Sequence, residues 1–412
     1  MREKDGVRFH YAWVILVCCC LSMGSSIGIA NNCAGMFFTP VSQYFGCGYS
    51  QLSLTITLKA LSTCAALLLF TKRLCSRYPL RIVLVMASLL NVPRIFLSYS
   101  TSVWQWWVCS VLTGISASFL SGFASTVMLE RWFKKSLGLA LSIAGCFSGI
   151  FGIVMSAIIG RIISFSGWRL ANTVSSVVLV ALTLIPSLFV SLDPKEKGKV
   201  AYGASEVAEG SEGGAPKTPT ALHPSAGSIK IPFDWIFVAI MLICLSDAIL
   251  AGFISHLNSY GISVNVTLYD VSMVTTMYMV GNLVFKTAFG GIVGKVGFRK
   301  AALVLFWIIT LGLVLMLFGR QYVVLAGSLA FGASAAIYTC ILPLLGREFY
   351  NSEQYPAIMQ KCLIAMNLLV SGIGYLYGLI YERTGSYLSV MIAMIAASVY
   401  SIVILARILK KN

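Results

Sequence analysis

The chain has 412 residues, of which 58% are hydrophobic and only 11% charged. Soluble domains carry roughly 25% charged residues, so an ordinary water-facing surface is excluded and much of the exterior must meet lipid. The formal net charge of +16 would suggest a nucleic-acid partner in a soluble protein. Here the basic residues fall in short segments between apolar runs, where they report membrane orientation and not nucleic acid.

Runs long enough to cross a bilayer lie at roughly 11–36, 51–71, 80–99, 103–126, 137–160 and 168–191, then at roughly 233–256, 270–292, 300–318, 321–343, 356–380 and 387–408. The first is too long for a cleavable signal peptide and lacks a convincing small-residue cleavage site, so it is expected to remain as a helix. Residues 192–231 are rich in Gly, Ser, Pro, Lys and Glu and read as a flexible cytoplasmic linker. The chain thus divides into an N-terminal six-helix bundle (1–191), the linker (192–231) and a C-terminal six-helix bundle (232–412). The expected fold class is an all-α membrane protein, with about twelve transmembrane helices in two pseudo-symmetric bundles. "RYPLRIVL" after the second run is echoed by "KVGFRKAAL" after the eighth, and "SFSGWR" after the fifth by "ERTGSY" after the eleventh.

Lys and Arg collect in alternate connections. One set holds Arg2, Lys4, Arg8, Lys72, Arg73, Arg77, Arg81, Arg131, Lys134, Lys135, Lys295, Arg299, Lys300, Arg347, Arg407, Lys410 and Lys411; the other holds little beyond Arg161, Arg169, Arg320 and Arg383. By the positive-inside rule both termini lie in the cytoplasm, as expected of a multi-pass protein of the cell (plasma) membrane. The fourth run carries Gly114, Ser118 and Gly122 four apart, and the fifth carries Gly145, Gly149, Gly152, Ser156 and Gly160. Such stripes let backbones approach closely, either as static packing or as sliding contacts.

Five ionisable residues stand inside the runs: Lys59, Arg94, Lys286, Lys361 and Asp247. Each costs roughly 2.5–3.5 kcal/mol near a bilayer centre, which makes each a functional candidate. Four cations against one carboxylate call for a mobile anion to balance them. Lys59 lies roughly 13 Å into the second run at 1.5 Å per residue, and Asp247 is similarly central in the seventh, so a permanent Lys59–Asp247 ion pair is the bland alternative. Lys286 sits too deep in the eighth for easy escape. Lys361, near the start of the eleventh, can snorkel to the headgroups or bind ligand. Arg94 follows Pro93 near the outer end of the third, where it anchors the interface or couples transport. Tyr278 and Tyr338 could wall a small site, although core packing is the readier reading of each, and Asn31 and Asn32 could line a cavity or bond across helices. His256, at the outer end of the seventh, is expected to be structural.

The twelve cysteines form no CxxC pair and lie mainly in apolar runs, so neither a disulfide framework nor a metal site is indicated. Phosphate-loop, dinucleotide and nucleophile–base patterns are absent, no cofactor is implied, and an enzyme is not expected.

"RFHYAWVILVCCCL" and, more specifically, "ERWFKKSLGLALSIAGCFSGIFG" resemble the start of the first helix and the fourth-to-fifth helix stretch of the major facilitator superfamily. The chain is most similar to its oxalate/formate antiporter and monocarboxylate transporter branch. The superfamily's loop pattern Gly-x-Leu-x-Asp-Arg-x-Gly-x-Arg is degraded. In the first copy Leu74, Arg77 and Arg81 fit, while Lys72, Ser76 and Pro79 do not; in the second Gly290, Gly297 and Arg299 fit, with Gly294 and Lys295 at the Asp and Arg positions. Arg77 is the gating candidate that the resemblance supplies. It also places Lys286 where the branch binds a substrate carboxylate, with Asn282 at the site of a proton-coupling Asp. Lys361 stands as the only counterpart of a ligand-binding Lys in the eleventh helix. The resemblance implies a carrier of a small organic anion, a mono- or dicarboxylate, acting as a monomer in the bilayer by alternating access and exchange. Two alternatives remain open: a proton-coupled exporter of an amphipathic or cationic compound using Asp247, and a non-transporting membrane receptor.

Overall fold

The computed structural model describes residues 10–69, 77–120, 122–133, 137–191, 194, 200–202, 235–266, 268–350 and 354–410. Most of the expected linker, and Lys72, Leu74 and Ser76 of the first loop pattern, lie outside the described residues. The chain is nearly all helical, with one isolated bridge between Phe133 and Tyr202 among the described residues. The spans of the first half are α1 (Tyr11–Phe45), α2 (Tyr49–Leu69), α3 (Leu80–Tyr99), α4 (Val103–Leu120, extended by a short helix Gly122–Trp132), α5 (Leu137–Ser166) and α6 (Trp168–Phe189). Those of the second half are α7 (Trp235–Ser263), α8 (Leu268–Val296), α9 (Phe298–Leu317), α10 (Gln321–Phe349), α11 (Tyr355–Thr384) and α12 (Leu388–Lys410). Among the described residues, eleven spans are long and apolar enough to cross a membrane. The remaining helix, α8, is a continuous helix of 29 residues whose sequence is more polar than its neighbours'.

Apolar side chains on the outside, including Leu68, Phe96, Trp104, Trp307 and Phe318, are left to lipid. Helices apolar all round can be accommodated only in such a solvent. Two hairpins turn on the same device. Gly167 and Gly297 adopt φ of +84° and +83°, a region that costs a side chain dearly, and each starts the helix that follows.

The buried apolar residues separate into three cores. One is formed by residues of α7–α12 with the α7–α8 turn, from Ala239 to Ile408. The other two belong to the first half, one around Cys19, Phe119 and Trp132 and one around Phe37, Met155 and Trp168. The halves meet along two antiparallel helix pairs and one end contact. On α5, Gly160, Ser156, Gly152 and Gly149 face Ser272, Thr276, Met279 and Leu283 of α8 in turn. The small-residue stripe is thus the seam between halves. On α2, Ser50, Ser53, Ile56 and Thr57 face Glu382, Gly378, Gly374 and Ser371 of α11. At the same end of the molecule, Gly35 of α1 abuts the Ser255 backbone of α7, where an added Cβ would overlap it.

All of these contacts lie toward the face opposite the linker. A Cβ at Gly149 would lie 3.2 Å from Leu283, whereas one at Gly145, a turn nearer the linker face, would meet nothing within 4 Å. The halves therefore close at the far face and part toward the linker face.

Within the expected linker, Tyr202 is docked. Its amide donates to the Trp132 carbonyl at 2.8 Å, and its ring packs edge-on or tilted against His10, Trp13 and Phe133. His10 Nε2 also lies 3.1 Å from the Val200 carbonyl. Tyr202, one of the few described residues of 192–231, is thus held against the first half by an aromatic clasp.

Candidate functional site

Two lysines stand where the seam ends. Lys59 follows the last α2–α11 contact, from the Thr57 hydroxyl to the Ser371 carbonyl, by two residues. Lys286 follows the Gly149–Leu283 contact between α5 and α8 by three residues. Both are half-buried. They mark the apex of the opening from the two halves.

The setting of Lys59 is built by α1 and α4. Gly114 lets α4 approach so closely that an added Cβ would overlap the Lys59 carbonyl and the Ser62 hydroxyl, and Thr63 Oγ1 donates to the Gly114 carbonyl at 2.8 Å. Lys59 Nζ donates to the Ala30 carbonyl at 2.8 Å and to Asn31 Oδ1 at 3.2 Å. Both acceptors belong to a π-helical stretch of α1, Gly24–Asn32. A π turn bonds five residues back and is commonly found at functional sites. The expected alternative of a Lys59–Asp247 ion pair is not formed.

Arg94 is not at the outer interface. It is 9% exposed, inside the first half, within electrostatic reach of Lys59, Cys33 and Cys109. Interface anchoring is thus corrected, and the local backbone explains why. After Pro93 the chain runs as a 3-10 segment, Val92–Tyr99, and Asn172 Nδ2 holds the Arg94 carbonyl at 3.0 Å, which turns the side chain inward. Among the described residues the guanidinium faces no carboxylate.

In the second half Asp247 is 4% exposed and lies within electrostatic reach of Lys286, with Tyr278 and Tyr338 beside it. Lys286 also neighbours Cys340 of α10 and Cys146 of α5, so it straddles the boundary between halves. Tyr338 belongs to a second π segment, Ile337–Ile341 in α10, and is half-buried. Tyr278 is 1% exposed, packed on Phe331 with ring centroids 5.2 Å apart, its hydroxyl 3.4 Å from Ser334 Oγ. It supports the site from the core. Asn282 is buried, and its Oδ1 has no partner. Lys361 is exposed near the start of α11, and Arg77 is exposed ahead of α3. Asn32 bonds across the seam, Nδ2 to Met279 Sδ at 3.3 Å.

Two far-face contacts were not visible in the sequence. Glu382 accepts from the Ser50 amide at 2.6 Å and from its hydroxyl at 2.8 Å. His256 is fully buried, with Nδ1 3.1 Å from the Tyr387 hydroxyl and Nε2 3.0 Å from the Gly374 carbonyl and 3.4 Å from Ser53 Oγ. It ties α7, α11 and the turn before α12 to α2 of the other half. Only its place at the far end of an apolar run hinted at this.

Two helical halves around a charged apex define a polytopic membrane transporter. A sequence model of the Major Facilitator Superfamily matches residues 12–234, and the chain belongs to that superfamily. It is a transporter and not an enzyme. Its fold is similar to that of the nucleoside transporter NupG, at 10% identity and TM-score 0.69, covering 97% of this chain and 99% of that one. It is also similar to the xylose transporter XylE from E. coli in a partially occluded inward-open conformation, at 13% identity and TM-score 0.71, covering 96% and 99%. A third similar structure is a bacterial homologue of the human lysosomal transporter Spinster, inward-facing and unoccupied, at 13% identity and TM-score 0.60, covering 97% and 96%. No curated protein matches the chain.

Proposed function

We propose that the protein is a secondary carrier of a small organic anion, a mono- or dicarboxylate, working by alternating access and exchange. One observation carries this reading: among the described residues, Lys59 lies within electrostatic reach of Arg94 in the first half and Lys286 within reach of Asp247 in the second, three cations with one carboxylate. Fixed positive charge out of water is costly unless it is paired, and an anionic substrate is the natural partner. The state described here, closed at the far face and open toward the linker, is inward-facing if the basic linker side is cytoplasmic. The resemblance to the oxalate/formate and monocarboxylate branch supports the same class. An empty site with surplus positive charge should resist reorientation, which favours exchange over uniport. On this reading the protein works as a monomer in the plasma membrane.

Counterflow in proteoliposomes tests the proposal. Vesicles loaded with an unlabelled carboxylate should transiently accumulate the same labelled carboxylate, and the Lys59→Ala and Lys286→Ala variants should lose that accumulation. Full transport by folded, inserted variants would overturn the anion site.

A further inference from the structure

Alternating access must undo the far-face contacts once in every cycle, and one of them contains a titratable ring. His256 of α7 is fully buried. Its Nε2 lies 3.0 Å from the Gly374 carbonyl, which can only accept, so Nε2 carries a hydrogen. Its Nδ1, 3.1 Å from the Tyr387 hydroxyl, then accepts that O–H while the ring is neutral. Two groups of the first half complete the enclosure. Ser53 Oγ of α2 lies 3.4 Å from Nε2, and the Phe38 ring of α1 meets the imidazole edge-on with centroids 5.8 Å apart. When the far face opens, both leave with the first half and water reaches the ring.

The closed arrangement has no place for a second ring proton. It would sit on Nδ1, facing a hydroxyl that already donates there, and would set a charge among the rings of Phe38, Tyr377 and Tyr387. The titratable groups on the packed elements are Tyr260 of α7, Tyr49 of α2, Tyr377, Tyr381 and Glu382 of α11, and Tyr387 ahead of α12. Glu382 is the carboxylate of this set, and its two oxygens are taken by the amide and hydroxyl of Ser50, about a turn before Ser53 on α2. A buried charge without a partner is strongly unfavourable, whereas an imidazole in water takes its proton at about pH 6.5. We propose that His256 is a proton-binding site of the far-face gate: the ring accepts a proton only when that face is open, so acid on that side holds the gate open. This goes beyond the choice of substrate and does not depend on it. A ligand shifts a two-state equilibrium by its differential affinity for the two states. With a proton bound to the open state alone, the open population should rise about tenfold as the pH falls from about 8 to about 5.5. The closed face is thus most stable above the pH at which the opened ring titrates, and weakens below it.

Hydrogen–deuterium exchange of the full chain in nanodiscs at those two pH values tests this, with each rate divided by the intrinsic rate at the same pH. Wild type should lose about tenfold in protection at the Ser50–Ser53 amides at the lower pH. His256→Gln keeps a donor and an acceptor but cannot take the proton, and should show no such loss. Histidine-selective NMR of the wild-type ring needs no variant at position 256 to fold. The chain has three histidines, so His10→Gln and His223→Gln identify the His256 signals by elimination. At the higher pH His256 should be neutral with its hydrogen on Nε2. A hydrogen on Nδ1 instead, or a charged ring at that pH, would overturn the proposal. So would equal protection of wild type at the two pH values, or a loss that persists in folded His256→Gln. A loss that persists there and vanishes in Glu382→Gln would assign the proton to the latch carboxylate in place of His256.

Discussion

The carboxylate of Glu382 sits on the first turn of α2 and takes both the backbone amide and the hydroxyl of Ser50, at 2.6 and 2.8 Å. One residue belongs to each half, so this contact must break whenever the far face opens. A helix N-terminus favours negative charge, and hydrogen bonds to an ionised group contribute roughly 1.5–3 kcal/mol each. Glu382→Ala should therefore shift the equilibrium away from far-face closure by about two to four orders of magnitude. Hydrogen–deuterium exchange should show faster exchange at the Ser50–Leu52 amides, and unchanged exchange there would refute the latch.

The α5 stripe supplies a contrast within one helix. At Gly160 a Cβ would overlap Ser272, whereas at Gly145 it would meet nothing within 4 Å. Gly160→Val should hold the seam apart and cut counterflow at least about tenfold, since over-packing a tight contact costs roughly 1–3 kcal/mol. Gly145→Ala should leave the thermal stability of the purified protein unchanged. Equal loss of stability in the two variants would mean that the stripe is ordinary helix packing.

Gly114 fixes the position of the Lys59 backbone. Replacing it with Val would push α4 away from α2, because the added atoms fall on the Lys59 carbonyl and Ser62. Gly114→Val should weaken anion binding by about tenfold or more even though it leaves every charge in place. Titration calorimetry of this variant beside Lys59→Gln checks it; full affinity in Gly114→Val would separate the glycine from the site.

His256 closes the far face from within. Its removal by His256→Phe leaves the Gly374 carbonyl and the Tyr387 hydroxyl short of a buried partner, at a cost of roughly 1–3 kcal/mol for each group left unsatisfied. The melting temperature in detergent should fall by several degrees. An unchanged melting temperature would mean that water or a neighbouring side chain takes over those bonds.

The fold was largely legible because lipid imposes a simple rule: spans must be long, apolar and helical. That rule also exposed Lys59, Lys286 and Asp247 as residues out of place. It failed for Arg94, whose position in the run suggested an interface; the inward turn depends on the 3-10 backbone after Pro93 and on Asn172, more than seventy residues away. For Lys361 it left snorkelling and ligand binding both open, because an unbroken run carries no mark of where the cavity ends. Tyr278 was read as either a wall residue or, more readily, a core residue, and its burial against Phe331 accords with the core. Glu382 and Ser50 meet from opposite ends of the chain, and neither was marked by its local sequence. The Tyr202 clasp was hidden by composition, since one aromatic ring in a polar segment suffices to dock it.

The two π segments give the helices around the apex an adjustable length. A π turn stores one more residue per turn than an α turn, so restoring regular winding in Gly24–Asn32 of α1 or Ile337–Ile341 of α10 would advance the following residues by about 1.5 Å and turn them by about 100°. In α1 that rewinding would withdraw the Ala30 carbonyl from Lys59, and in α10 it would swing Tyr338 relative to Asp247. Each half thus carries a winding joint beside its own cation, able to re-aim the groups around the cargo while the rest of the bundle moves as a unit.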